Sequence, residues 1–229
     1  MMKLNFLLNN IGPIEKANIE LEDLTIVVGT NSIGKSLISK SAYLAIKSIA
    51  SKDEDIVNLI KEEGYTPELY KFAENISLSM NVNEIPTLKL DFDPLRINII
   101  DRDLKINDVT YVDGPLIINE SIPKDLGLEH NDDLKSKMII QKLENKENNE
   151  KYLNYKQEIL NLIDEIIENQ VLEYSSEKRR FFLKVNDRIK VPVNKAPNGI
   201  KSFLILRELL SNDYLENNSI LILDEPEIL

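Results

Sequence analysis

The 229-residue sequence contains no cysteine and a single histidine, His130. The first absence excludes disulfides and thiolate metal sites, and it fits a cytoplasmic chain. The second argues against a histidine-based metal centre or a Ser-His-Asp triad. No apolar run is long enough to span a bilayer, so no membrane role is expected. The opening Met1-Met2-Lys3-Leu4-Asn5-Phe6 lacks the apolar core and small-residue cleavage site of a signal peptide. Positive charge is scarce too. Lys and Arg number 28 against 39 Asp and Glu, and the net charge of −11 argues against a generally basic nucleic-acid binder. No tandem repeat is visible. The 42% apolar content supports one good core, or one domain with an insertion.

Against these absences stands one dense motif, Gly29-Thr30-Asn31-Ser32-Ile33-Gly34-Lys35-Ser36. Two glycines with four residues between them, followed by Lys and Ser, form the P-loop pattern. Glycines let the backbone turn tightly and bring N–H groups against phosphate oxygens. A helix beginning after the loop adds its unpaired N–H groups and positive dipole end. Lys35 supplies a mobile cation for the β- and γ-phosphates of ATP, and the Ser36 hydroxyl a ligand for Mg²⁺. Upstream, the β-branched run Leu24-Thr25-Ile26-Val27-Val28 reads as a buried strand. Downstream, residues 36–50 place Leu37, Ile38, Ala42, Leu44, Ala45 and Ile49 at helical spacing.

Residues 3–10 and 14–21 read as two strands joined by a Gly12-Pro13 turn, an antiparallel flap near the nucleotide. Helices are expected at 51–63 and at 66–76, where Thr66 caps and Pro67 opens the second. Leu88–Phe92 and Arg96–Ile100 flank Pro94 as a hairpin, and Val109–Val112 is a return strand into the core. Residues 132–150 have helical tendency and end in a polar run. Residues 152–171 carry a firm amphipathic stripe, suited to the core or to a partner subunit. Arg179–Val185 and Arg188–Val193 read as a second hairpin. Between Lys178 and Lys201 eight basic residues face Asp187 alone. A solvated face and a phosphate-facing patch both fit that reversal of sign, the latter for nucleic acid or for a partner's nucleotide. A helix over 200–210 leads to Ser219–Leu223, an apolar strand expected to be central and buried on both faces.

That strand runs into Asp224-Glu225-Pro226-Glu227. Asp224 suits a Walker B role toward Mg²⁺ opposite Ser36, and Glu225 could polarise the attacking water. The P-loop, this acidic ending and the opening Asn10-Ile11-Gly12-Pro13-Ile14 together resemble an ABC-type ATPase head of the SMC, RecF and OLD branch, which includes small bacterial ATPases linked to DNA repair and phage defence. The resemblance covers both ends of the chain and hardly touches the middle. It implies that Ala196–Ser202, about 25 residues before Asp224, stands where a signature loop closes on the partner subunit's ATP, with Asn198 and Gly199 as contacts. Asn198 replaces the usual serine there. A Q-loop glutamine, expected near Tyr111–Gly114, is missing. Such heads also continue into a D-loop, a further strand and a switch histidine. Ending at Leu229 therefore implies a truncated or split gene, a fragment, or a partner that supplies the rest, with an exposed sheet edge and poor behaviour alone.

The fold so implied is α/β: a P-loop NTPase with a mainly parallel core sheet, an N-terminal antiparallel β subdomain and an inserted helical lobe. Residues 1–52 would hold the first strands, the P-loop and its helix. Residues 53–175 would form the inserted lobe, with the hairpin and return strand near 88–114. Residues 176–229 would carry the signature-like loop, its helix and the Walker B strand, all within one ATPase domain. The function implied is an ATPase head, with Lys35 and Glu225 catalytic, that forms a homodimer or heterodimer around ATP and drives an effector such as a nuclease or toxin, or a DNA-acting assembly. A nucleotide-sensing module without turnover is the alternative, and a transporter ATPase fits less well.

Overall fold

The computed structural model describes residues 3–30, 33–50, 76–92, 95–101, 106, 108–119, 142–143, 153–175, 177–178, 180–185, 189–216 and 218–224. The helices expected between 51 and 75 lie outside these residues, as does most of 132–150. The chain divides into two compact units, Met1–Val109 and Thr110–Leu229.

The first unit is built on a five-stranded sheet ordered β2-β1-β3-β4-β5. Its strands are β1 (Leu4–Ile11), β2 (Ile14–Leu21), β3 (Ser77–Val82), β4 (Ile85–Phe92) and β5 (Leu95–Ile99), and every neighbouring pair is antiparallel. Turn chemistry explains the hairpins. Gly12, with φ +55°, opens a two-residue turn with Pro13, and Asn83 and Glu84 (φ +48° and +69°) make the next one, both being conformations that match strand twist. Period-2 alternation then fills one face: Leu4, Phe6 and Leu8 lie opposite Val82, Met80 and Leu78, all buried. Helix α1 (Lys35–Ala50) packs on β3. From Ser41 to Ile46 it is buried all round, as an apolar helix inside a core must be.

In the second unit β6 (Asp108–Val112, which begins at the end of the first) pairs with β10 (Ser219–Leu223). Strands β7 (Val171–Ser175), β8 (Arg180–Lys184) and β9 (Lys190–Pro192) form an antiparallel sheet. Helices α2 (Leu153–Ile166) and α3 (Asn198–Ser211) pack together, and Asp164 and Arg207 join them through two hydrogen bonds. Ile167, Leu172, Phe181, Leu204 and Leu209 are among the residues at the centre of this core. Asp213, at φ +61°, ends α3 in a Schellman arrangement, with Tyr214 N–H donating to Leu209 O and Asp213 N–H to Leu210 O.

The architecture overturns the expected P-loop NTPase fold with its mainly parallel core sheet. Among the described residues the sheets are antiparallel except for the two strands β6 and β10. Leu24–Val28, expected as a buried strand, forms no strand, and Leu24 and Val28 are 81% and 82% exposed. Strand β10 has one neighbour and half-buried residues, not two covered faces. The reason is pairing: strands joined by two-residue turns satisfy their backbones locally and antiparallel, whereas a parallel sheet requires long crossovers. The expected hairpin near 88–100 is β4–β5, and with β3 it joins the first sheet. The stripe expected over 152–171 is divided as well. Ile163 and Ile167 enter the core, while Leu162 is 62% exposed, and Val171 belongs to β7.

Candidate functional site

Within the first unit, the P-loop residues meet the turn of the β1–β2 hairpin. Gly34 has φ +101°, a conformation open to glycine and strained for other residues, and a Cβ there would stand 3.0 Å from the Ile14 side chain. A Cβ on Gly12 would come within 2.7 Å of Leu37 Cδ2. A Cβ on Gly29 would run into Ile33. Backbone conformation thus favours glycine at Gly34 and Gly12, whereas at Gly29 a side chain would meet only the movable end of Ile33. Helix α1 starts at Lys35, and Ile38 N–H closes the first turn on Gly34 O at 2.9 Å. The N–H groups before it have no intrahelical acceptor, and no acidic residue lies in that turn to offset the positive helix end.

Lys35 Nζ reaches back across its own loop and donates to Gly29 O at 2.7 Å and Thr30 O at 3.1 Å. These contacts are exposed to solvent. They hold the ammonium at the mouth of the loop through neutral carbonyls, which an anionic oxygen can replace with a stronger, charge-assisted bond. Asn31 and Ser32 lie outside the described residues. Ile33 is exposed and Ser36 half-buried. The arrangement can bind an anion of phosphate type. A hollow of about 410 Å³ in the same unit is lined by Lys3, Asn18, Glu20 and neighbours, and none of Gly29–Ser36 contributes to it.

In the second unit Asp224 directly follows β10 and is only 6% exposed. Its N–H donates to Val112 O at 2.9 Å, and its Oδ2 accepts the Tyr111 hydroxyl at 2.8 Å. Strand β6 thus holds the carboxylate through both backbone and side chain. Glu225 lies outside the described residues. Among those described, no group of three His, Cys, Asp or Glu side chains could hold a metal ion. Asn198 and Gly199 open α3, where Pro197 precedes them as cap without a side-chain hydrogen bond. The Asn198 amide oxygen accepts from Lys201 Nζ at 3.3 Å, which ties it into its own helix turn. Lys201 is 3% exposed, and burial pushes its ammonium pKa down.

Lys201, read with the basic stretch as solvated or phosphate-facing, is instead buried on the face of Leu204, Ile205 and Glu208, which helical periodicity signalled. Tyr111 meets Asp224 from 113 residues away, and no local pattern announces such a pairing. Among the described residues, no helix is long and apolar enough to cross a membrane. The sequence matches no model of a known protein family, and no curated protein is significantly similar to it.

Proposed function

We propose that Gly29–Ser36 binds the phosphates of ATP with Mg²⁺ and that the chain is an ATPase, dimerising around nucleotide in the cytoplasm to regulate an effector such as a nuclease or toxin. One observation carries this reading: α1 begins directly after a positive-φ glycine, its first N–H groups have no intrahelical acceptor, and Lys35 is held at the loop by exchangeable carbonyl contacts. In the proposed reaction the loop N–H groups and Lys35 neutralise phosphate charge, and Ser36 offers its hydroxyl to the metal. Magnesium, bound with the nucleotide, supplies charge screening of the phosphates. The proposal assigns Asp224 an acidic role in turnover and Glu225 that of the base that polarises water, roles that the variants below test.

Titration calorimetry with Mg-ATP tests the binding step. Lys35→Ala is expected to weaken binding by roughly ten- to a hundredfold, the loss of a charge-assisted bond, with unchanged thermal stability. Equal affinity in wild type and variant would refute the site. Steady phosphate release, abolished by Asp224→Asn and by Glu225→Gln, tests turnover. Retained Mg-ATP dimerisation by Glu225→Gln in light scattering tests assembly. A second reading, a nucleotide sensor without turnover, is favoured by Asn198, whose amide is engaged by Lys201. Binding without phosphate release selects it.

A further inference from the structure

The outer face of the three-stranded sheet in the second unit gathers positive charge in a chain whose net charge is −11. Alternation along β8 sends Phe181 and Leu183 into the core and leaves Arg180, Phe182 and Lys184 on the opposite face. Register brings Lys190 of β9 beside Lys184, and Pro192 beside Phe182. At the half-buried Phe182 ring, Lys178 Nζ stands 5.4 Å and Arg180 Cζ 5.1 Å from the centroid. Among the described residues of these strands, Glu173 is the acidic residue on this face. It lies opposite Phe182 and is paired with Lys190 at 2.6 Å, while Glu177 sits in the β7–β8 turn. Two cations stand over an aromatic ring at the middle of a sheet, and an unpaired nucleotide can take their place on the ring with its base while they turn to its flanking phosphates.

We infer that this face of β7–β9 binds single-stranded nucleic acid, through base contact with Phe182 and phosphate contact with Lys178, Arg180 and Lys184. The inference is independent of the nucleotide reading, because it concerns another surface and is measured without ATP.

The test is fluorescence anisotropy of the full chain with a labelled thymidine oligomer of about 20 nucleotides, across a salt series. Wild type is expected to bind with an affinity that falls as salt rises. The triple variant Lys178→Gln, Arg180→Gln, Lys184→Gln is expected to reduce the slope of log affinity against log salt by roughly 2. Phe182→Leu should cost about tenfold in affinity and leave that slope in place. Should the triple variant fail to fold, Lys178→Gln alone, in the turn, is expected to change the slope by about 0.7. The absence of oligomer binding at about 50 mM salt, unchanged slopes in the variants, or equal affinity for a duplex would each overturn the inference. Binding of an acidic polypeptide in preference to the oligomer would assign the face to a protein partner and overturn it as well.

Discussion

Leu4–Ile11 and Leu24–Val28 are both apolar and both suited to a strand, yet they meet opposite fates. In β1 burial alternates: Leu4, Phe6 and Leu8 face one way and are buried opposite β3 residues, while Leu7 between them is half-buried. In the second stretch Leu24 and the consecutive Ile26, Val27 and Val28 would occupy both faces of a strand, no strand forms, and Ile26 is 73% exposed. Composition does not separate them; partners do. A strand with one apolar face needs a single sheet neighbour and a single covering layer. A run that is apolar on both faces needs strands on either side and a layer above and below, and an unpaired backbone must turn to water. Burial in this protein follows the availability of backbone pairing more closely than it follows hydrophobicity.

The sharpest way to break that contrast is to delete one side chain from each region. Phe6→Ala should cost about 3–5 kcal/mol, because the ring is fully buried between strands, whereas Ile26→Ser should stay within about 0.5 kcal/mol. Urea denaturation reads both, and a comparable loss from Ile26→Ser would show that Leu24–Val28 is buried in solution. Smaller effects test the joint between the sheet and the loop that follows. Gly12→Ala introduces a side chain at φ +55° against the movable tip of Leu37, and a loss of about 1–2 kcal/mol is expected by the same measurement. No loss would mean that the turn is not held against α1.

Helix α1 offers a test of the opposite sign. Ser48 is fully buried, and its hydroxyl has no hydrogen-bond partner among the described residues. Ser48→Ala should therefore be neutral or stabilising by up to about 1 kcal/mol, and a clear loss of melting temperature would reveal a partner for that hydroxyl. The smallest effect concerns Lys201. Burial lowers its pKa in the folded chain, so the unfolded chain holds the proton more tightly. Below the lowered value the cost of the buried charge is present in full. It is relieved as pH rises through that value toward the ordinary 10.5. Lys201→Met should accordingly be more stable than wild type at neutral pH, with the gap narrowing at alkaline pH. A gap independent of pH in paired urea titrations would remove this account.

Much of the local structure was legible in the residues. The Gly12-Pro13 turn, the flanking strands, the β4–β5 and β8–β9 hairpins, the return strand near Tyr111 and the helix after Pro197 each rest on turn chemistry or on a short apolar period. Strand β3 carried the same kind of signal, since Leu78, Met80 and Val82 alternate with Ser77, Ser79 and Asn81, and it went unread. The glycine spacing of Gly29–Ser36 was legible as a motif, and Gly34 has a positive φ that favours glycine. The antiparallel order of the first sheet was not legible, and the mainly parallel sheet expected in its place is absent among the described residues. The parallel sheet was inferred from motifs at the two ends of the chain, and motifs say what a loop can bind without saying which strands pair.

By itself, the sequence determined where the chain turns, which residues alternate, and which loop carries glycine, lysine and serine in a phosphate-binding order. These depend on interactions among residues close along the chain. Only the tertiary structure decided that β3 joins β1, that Leu24–Val28 stays outside the sheet, and that Tyr111 holds Asp224. Those outcomes are contests between distant segments for the same backbone partners, and their winner is set by the free energy of the assembled whole.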